Sequence, residues 1–362
     1  MINNQTLTKY LSKMFIKQFL FTSAIILCVL FITSAFDILQ KFKSTNITPG
    51  DFWKLVSFKI PYLFNEVASL ICFISTFMFL RTLTKQNELV VILSSGIPIW
   101  KVFINPILVT LILGALILGI INPVGTYGLQ EYEKLEAKLH NTPHLNFIIS
   151  PTGLFFFENF AGNNYIIQAK SINADKKTLT DVTILLVDEH NNLIKRIDSP
   201  LVQLQLGIFK LNSPVITKRT SSRKLKELIL PTNLSIDNLV QRFSPPEMIP
   251  IWNLNNSIKN FARSGLVVTK YQIHYYKQLF KPLSMVAMSF IACWFVSLNI
   301  RDNSSARMAV WALITGICTY FFLEICLRIL AYNGLHPVLA TLLPILFIIL
   351  ISNFVILHFQ EA

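Results

Sequence analysis

The sequence predicts an α-helical membrane protein with six transmembrane helices, arranged three and three around an inserted antiparallel β-domain. Its 362 residues are 53% hydrophobic and only 14% charged. Six apolar stretches of about 20 residues each are long enough, at about 1.5 Å per helical residue, to cross a hydrocarbon core about 30 Å thick. They comprise residues 14–36, 60–80, 102–121, 282–300, 308–327 and 337–357.

A long polar segment separates the two groups of spans. The predicted domains are therefore residues 1–122, the insert 123–281, and residues 282–362. Within the insert we expect a helix at 127–139 and another at 248–262, which ends at Ser264-Gly265. Between these helices, short β-rich runs broken by turn residues favour an antiparallel sandwich or jellyroll-like domain. The expected strands are residues 145–149, 154–157, 165–172, 182–187, 193–197, 202–206, 208–211 and 215–219.

Lysine and arginine counts in the short loops indicate the orientation, because such residues concentrate on the cytoplasmic side. Eight against five favours cytoplasmic termini and an insert outside the cytoplasm. The eight are Lys9, Lys13, Lys17, Arg81, Lys85, Lys101, Arg301 and Arg307. The five are Lys41, Lys43, Lys54, Lys59 and Arg328.

Composition excludes several function classes. The net charge of +13 is not concentrated in a basic stripe with interleaved aromatics, so nucleic-acid binding is not expected. Contact with anionic lipid, or ordinary interfacial lysines, explains this charge more simply. All five cysteines fall inside predicted spans, so the insert has neither a disulfide framework nor a thiolate metal site.

The chain also lacks the motifs of an intrinsic hydrolase. It has no Gly-rich loop ending in Gly-Lys-Ser/Thr, no His-Glu-x-x-His helix and no Gly-x-Ser-x-Gly elbow. The six histidines are scattered singly. We therefore expect no catalytic residues, no metal site and no bound cofactor, and an energy source in a partner.

The loop between the second and third spans carries the strongest local signal. Asn87 is a good N-cap, Glu88 favours the positive end of the helix dipole, and Gly96 followed by Pro98 ends the helix. The predicted helix, at about residues 87–96, is too short to span the membrane and too apolar to lie free in water. It either docks in a partner's groove or lies in the interface as a connector, and the residues alone leave both open.

The residue string NELVVILSSG at 87–96 resembles the coupling segment of the lipopolysaccharide export permeases, the LptF/LptG family of ABC transporter membrane subunits, and is nearer the LptG branch. A second family-like motif, YKQLFKPLS, occupies residues 276–284 at the start of the fourth span. The order of three spans, β-jellyroll, closing helix and three spans also matches. The resemblance covers almost the whole chain.

This resemblance implies a mechanism. A cytoplasmic ABC ATPase dimer, which uses the ATP, engages short coupling helices on this chain and on a paralogous permease in a heterodimer. Lipopolysaccharide enters from the outer leaflet of the bacterial inner membrane and passes through the periplasmic jellyroll to a periplasmic bridge protein or a single-span LptC-type subunit. The implied ATPase-coupling residues are Glu88, Leu89, Val90, Ile92, Leu93 and Gly96.

Four charged residues are candidates for contact with the substrate. Lys41 and Lys43, at the outer end of the first span, resemble the family's basic segment that meets the lipid head group; otherwise they only anchor the helix end. Glu66 and Glu324 are acids inside spans, which are costly unless paired or facing a cavity. Two alternative functions remain open at this stage: an LptF-like paralogue of the same complex, and a membrane-anchored β-domain scaffold without transport.

Overall fold

The computed structural model describes residues 4–43, 47–139, 148–150, 153–160, 163–173, 178–187, 193–205, 208–218, 221–232, 245–263, 268–298 and 305–358. The chain divides into two compact units. One combines Met1–His140 with Ile273–Ala362 and is helical. The other, Asn141–Gln272, contains the β-sheet.

The helical unit begins with two long helices, α1 (Asn4–Lys41) and α2 (Pro49–Lys85). The Thr48 hydroxyl caps α2 by accepting a hydrogen bond from the Asp51 amide, and Pro49 stands at the first position, where its missing N–H costs nothing. These helices contain the first two predicted spans. A short helix, α3 (Glu88–Ser94), follows where the coupling helix was predicted.

The third span is one long helix with a local irregularity. It consists of α4 (Ile99–Leu116), a π-helical turn at Ile117–Ile121, and α5 (Asn122–Leu139). The predicted helix at 127–139 is part of α5. A Cβ on Gly128 would lie 2.4 Å from the Phe58 carbonyl oxygen, so only glycine permits this approach of α5 to α2.

The fourth span is bent. It consists of helix α7 (Thr269–Leu279) and helix α8 (Lys281–Leu298), and the chain bends by 56° between the two helix axes. Pro282 explains the break, because a proline cannot donate the hydrogen bond that would continue the helix. Two further helices follow, α9 (Ser305–Tyr332) and α10 (Pro337–His358). Among the described residues five helices are long and apolar enough to cross a membrane, or six if the bent pair counts as one span.

Helix α2 lies at the centre of this unit and packs against α1, α5, α8 and α9. Of its most apolar window 61% is buried within the chain, against 22% for α1 and 17% for α9. A soluble helix would bury its apolar face, whereas these two helices present theirs to the surroundings. The unit is therefore built for an apolar environment or an apolar partner along α1 and α9.

The strands of the second unit form one antiparallel sheet, as predicted. Their order is β1-β2-β3-β4-β5-β6-β9, with β7 paired to β5 and β8 paired to β7. The buried face carries the apolar side chains of alternate residues, such as Ile167, Ile184 and Ile197. The strands are β1 (Ile148–Ser150), β2 (Gly153–Phe160), β3 (Asn163–Asn173), β4 (Thr178–Val187), β5 (Leu193–Gln205), β6 (Ile208–Asn212), β7 (Val215–Lys218), β8 (Ser221–Lys224) and β9 (Glu227–Pro231).

The two strands predicted at 193–197 and 202–206 are a single strand, β5, and that prediction of a break was wrong. Pro200 stands inside β5 where the partner on one edge changes from β7 to β6. On the other edge Thr180 pairs with Leu201 and Val182 with Ser199, so the register places Asp181, which has a φ of 47°, directly opposite Pro200, and these two residues make no ladder pair. The missing N–H of proline therefore disturbs no paired position.

The helix predicted at 248–262 is present as α6 (Ile251–Arg263), preceded by a 3₁₀ turn at Pro246–Met248. Its apolar side is buried, with Phe261 packed edge-on against Tyr271 at 4.7 Å between ring centroids. The predicted ending at Ser264-Gly265 lies outside the described residues.

Candidate functional site

The start of α3 differs in detail from the prediction. Asn87 occupies the N-cap position but has a left-handed backbone, with a φ of 57°, and its side chain makes no capping hydrogen bond. Its amide donates to the Thr84 carbonyl oxygen at 3.0 Å. Asn87 therefore closes the end of α2, which is a common role for a left-handed residue after a helix, and the predicted side-chain cap was wrong.

Glu88 is tied to the first helix. The Tyr10 hydroxyl lies 2.9 Å from both carboxylate oxygens and donates its single hydrogen to them. Glu88 is partly exposed, so its carboxylate remains accessible to a cation from outside the chain. The first turn of α3 is thus both fixed to α1 and open on one side.

The apolar residues of α3 divide into two groups. Leu89, predicted to contact the ATPase, is fully buried in the core with Leu11, Leu83 and Ile99, so it supports the helix instead of facing a partner. Ile92 and Leu93 are partly buried against the same core.

The exposed apolar side chains of α3 are Val90 and Val91, which are 51% and 65% exposed. These two adjacent valines are therefore the apolar side chains of α3 that a partner could contact without any rearrangement of the helix. Val90 is among the predicted coupling residues, whereas Val91 is not.

Gly96 ends this segment, as predicted. Its φ of 81° is the left-handed conformation that glycine adopts without strain, and its amide donates to the Leu93 carbonyl oxygen at 3.0 Å. Ile99 then begins α4 after Pro98. The geometry gives Gly96 a conformational role in setting the length of α3.

The two candidate head-group lysines have different surroundings. The Lys41 ammonium forms an ion pair with Glu136 on α5 and lies 5.9 Å from the centroid of the Tyr132 ring. Lys43 is exposed just beyond the end of α1. The Lys41 ammonium therefore already has an anionic partner within the chain, whereas the Lys43 side chain is exposed.

Glu66 and Glu324 share one cation. The Lys277 ammonium lies 2.9 Å from a Glu66 carboxylate oxygen and 2.8 Å from a Glu324 carboxylate oxygen. The three side chains are each only about one-fifth exposed, and they come from α2, α7 and α9. The two acids inside spans are thus paired with a cation, which is the arrangement expected of intramembrane carboxylates.

A second buried lysine completes the cluster. Lys281 is 3% exposed and its ammonium donates to the Glu66 carbonyl oxygen at 2.9 Å. Gln278 donates to the Glu66 carboxylate and accepts from the Asn65 amide at 3.0 Å. Two ammonium groups thus balance two carboxylates. We call Glu66, Lys277, Lys281 and Glu324 the buried charge cluster.

Three members of the buried charge cluster, Lys277, Lys281 and Glu324, line a cavity of about 50 Å³, to which Ser69 and Tyr320 also contribute. That volume accommodates about three water molecules, whereas pockets for small organic ligands start at about 300 Å³. The geometry favours a role in joining helices over one in holding a lipid head group.

Lys277 and Lys281 were not among the predicted site residues, although both lie in the second family-like motif. A usable signal was present. Lys277 and Lys281 lie four residues apart at the start of an apolar span. They equal in number the two acids inside other spans, and acids inside a membrane need cationic partners.

Comparison with known proteins agrees with this architecture. The family model described as "Lipopolysaccharide export system permease LptF/LptG" matches residues 9–358. The chain is 22% identical over 374 aligned residues to the lipopolysaccharide export system permease protein LptG of Haemophilus influenzae, covering 97% of this chain and 98% of that protein. It is 27% identical over 127 residues to the LptG protein of Escherichia coli strain K12, covering 35% of each. Since the family model extends over nearly the whole chain, the protein belongs to the LptF/LptG family of lipopolysaccharide export permeases.

Proposed function

We propose that this chain is the LptG-type permease that extracts lipopolysaccharide from the inner membrane and passes it to a periplasmic bridge. Membership of the family makes it a multi-pass permease subunit of a lipopolysaccharide-exporting ABC transporter, and not itself an enzyme. The two relatives described above both carry the name LptG, which supports that branch over the LptF-like paralogue.

The observation that carries the proposal is the exposure of Val90 and Val91 on α3. A seven-residue helix with two exposed valines beside a partly exposed carboxylate fits docking of a separate ATPase dimer, which supplies the energy through ATP hydrolysis. A β-domain scaffold without transport has no use for such a helix. Co-purification of the chain with a soluble ATPase, followed by ATP-dependent release of lipopolysaccharide from proteoliposomes, tests the function directly.

The weakly buried apolar faces of α1 and α9 support a heterodimer with a paralogous permease. Both helices expose large side chains along their length, among them Phe21 and Phe36 on α1 and Trp311 and Phe321 on α9. Lipid covers part of this surface. A second permease against these helices would enclose a path for the lipid between the two chains.

The second unit is the proposed periplasmic jellyroll, which hands the lipid to a bridge protein or a single-span LptC-type subunit. In intact spheroplasts we expect trypsin to cleave after Lys224 or Lys226, which are both exposed. Cleavage after the exposed Lys85, beside α3, should require inverted vesicles, because that loop is assigned to the cytoplasm. The opposite pattern, read by mass spectrometry of the fragments, would reverse the orientation.

Lys43 is the sharper test of contact with the head group, because Lys41 already has Glu136 as a partner. An interfacial ammonium attracts anionic lipid by about 1 kcal/mol, so Lys43→Glu should lower lipopolysaccharide photo-crosslinking at α1 by about fivefold or more. Lys54→Glu is the matched control, since Lys54 is also exposed on the same proposed side. Equal crosslinking for the two variants, with normal complex assembly, would leave Lys43 as a helix anchor.

A further inference from the structure

We propose that Tyr10 is a positioning residue that holds Glu88 and fixes α3 to α1, so that movement imposed on α3 is delivered to α1. The proposal rests on the proposed function of α3 as the ATPase-docking helix. It assigns a task to a side chain outside the predicted coupling and head-group residues.

The geometry at Tyr10 is specific. Its hydroxyl lies 2.9 Å from each Glu88 carboxylate oxygen, so the single hydrogen is shared between two equivalent acceptors. Tyr10 and Glu88 are 78 positions apart in sequence, and the ring is 48% exposed. Because it lies at the surface, this hydrogen bond does not join buried core residues. Its main effect is to fix the orientation of α3 relative to α1.

Helix α3 needs an external constraint of this kind. It has seven residues, and helices shorter than about 12 residues are marginal in water. Its buried anchor, Leu89, packs against Leu11 and other core residues, but apolar contacts fix direction poorly. Tyr10 precedes Leu11 on α1, so the directional bond and the apolar anchor join α3 to the same turn of the same helix.

Helix α1 is suited to carry the movement onward. It runs without a break over 38 residues, and Tyr10 near one end lies about 47 Å along the axis from Lys41 at the other. Only 22% of its most apolar window is buried within the chain, against 61% for α2. Helix α1 packs against α2 on one side, but with most of its apolar window unburied it can shift more easily than the central helix, and its far end carries the candidate head-group lysines.

Tyr10→Phe tests the proposal, because it removes the hydroxyl alone. In the full-length chain purified in detergent, loss of the bond should raise the population in which the loop opens, and trypsin should cleave after Lys85 about three- to tenfold faster. In the complex with the ATPase, the variant should still bind and hydrolyse ATP but release less lipopolysaccharide per ATP. Tyr332→Phe, the same chemical change at a residue 92% exposed, should alter neither quantity.

A double variant separates positioning from general destabilisation. In the Glu88→Ala background the acceptor is absent, so adding Tyr10→Phe should produce no further acceleration of cleavage. Additive acceleration would overturn the proposal, as would wild-type cleavage rates in Tyr10→Phe. Faster cleavage with an unchanged ratio of lipid to ATP would overturn the transmission to α1. If the wild-type chain binds no ATPase, the proposed function fails, whereas the cleavage comparison still decides whether Tyr10 positions Glu88.

Discussion

Val91→Asp is expected to abolish association with the ATPase while leaving the isolated permease folded. The side chain is 65% exposed, so the fold does not depend on it, but an aspartate there places a charge in the apolar groove of the partner. Thr217→Asp, at an exposed residue of β7, is the control for the added charge. Pull-down with the purified ATPase gives the result.

Glu88→Ala distinguishes the two tasks of the carboxylate. Loss of its effect on the helix dipole alone costs about 0.3–1 kcal/mol, too little to abolish assembly. Truncating one partner of a desolvated charge pair costs about 2–5 kcal/mol, a loss of roughly 30-fold or more in affinity. Near-normal binding in both Glu88→Ala and Val91→Asp would reduce α3 to a connector. Leu89→Asp is unsuitable for this purpose, because Leu89 is buried in the core and the variant would report on folding.

Breaking the buried charge cluster should have the largest effect on stability. Lys277→Met removes the cation shared by Glu66 and Glu324, leaving an uncompensated carboxylate, and such losses cost about 3–5 kcal/mol. We expect a marked fall in the midpoint of thermal unfolding, measured by fluorescence-detected size-exclusion chromatography. Lys134→Met is the matched control, since it breaks only an exposed i,i+3 pair with Glu131 and should cost less than about 1 kcal/mol.

A compensating variant makes the interpretation unambiguous. Lys277→Met with Glu324→Gln leaves Glu66 balanced by Lys281, so most of the lost stability should return. Recovery of stability together with normal export would assign the buried charge cluster to helix joining. Recovery of stability without export would give it a part in transport. No recovery would contradict the balance of charges described here.

The helices could be predicted because each span is a predominantly apolar run of about 20 residues, a signal that needs no partner. The contacts of α3 could not. All of residues 89–93 are apolar, and a helix of two turns is too short for periodicity to show that Leu89 is buried while Val91 is exposed. The pairing of Glu66 with Lys277 could not be predicted either, because 211 positions separate the two residues in the sequence.

In the sheet, the approximate positions of β1 to β7 followed from alternation and turn residues, but the unbroken β5 did not, and β8 and β9 were not predicted. A proline inside a run normally predicts a break. Pro200 is tolerated because Asp181, the residue opposite it, makes no ladder pair with it, a relation between two strands that no local pattern contains.

The π-helical turn in the third span sets the rotational phase of its two halves. Gly114 in α4 meets Pro282 of α8, whereas Gly125 in α5 meets Tyr62 of α2. In a regular helix, 11 residues at about 100° each would leave these glycines only about 20° apart around the axis. The extra residue absorbed at Ile117–Ile121 turns the second glycine by about 100°, since Asn122 bonds to the Ile117 carbonyl oxygen one position further back than usual. The glycine-containing faces of α4 and α5 therefore point in different directions, so one continuous helix packs closely against both α8 and α2.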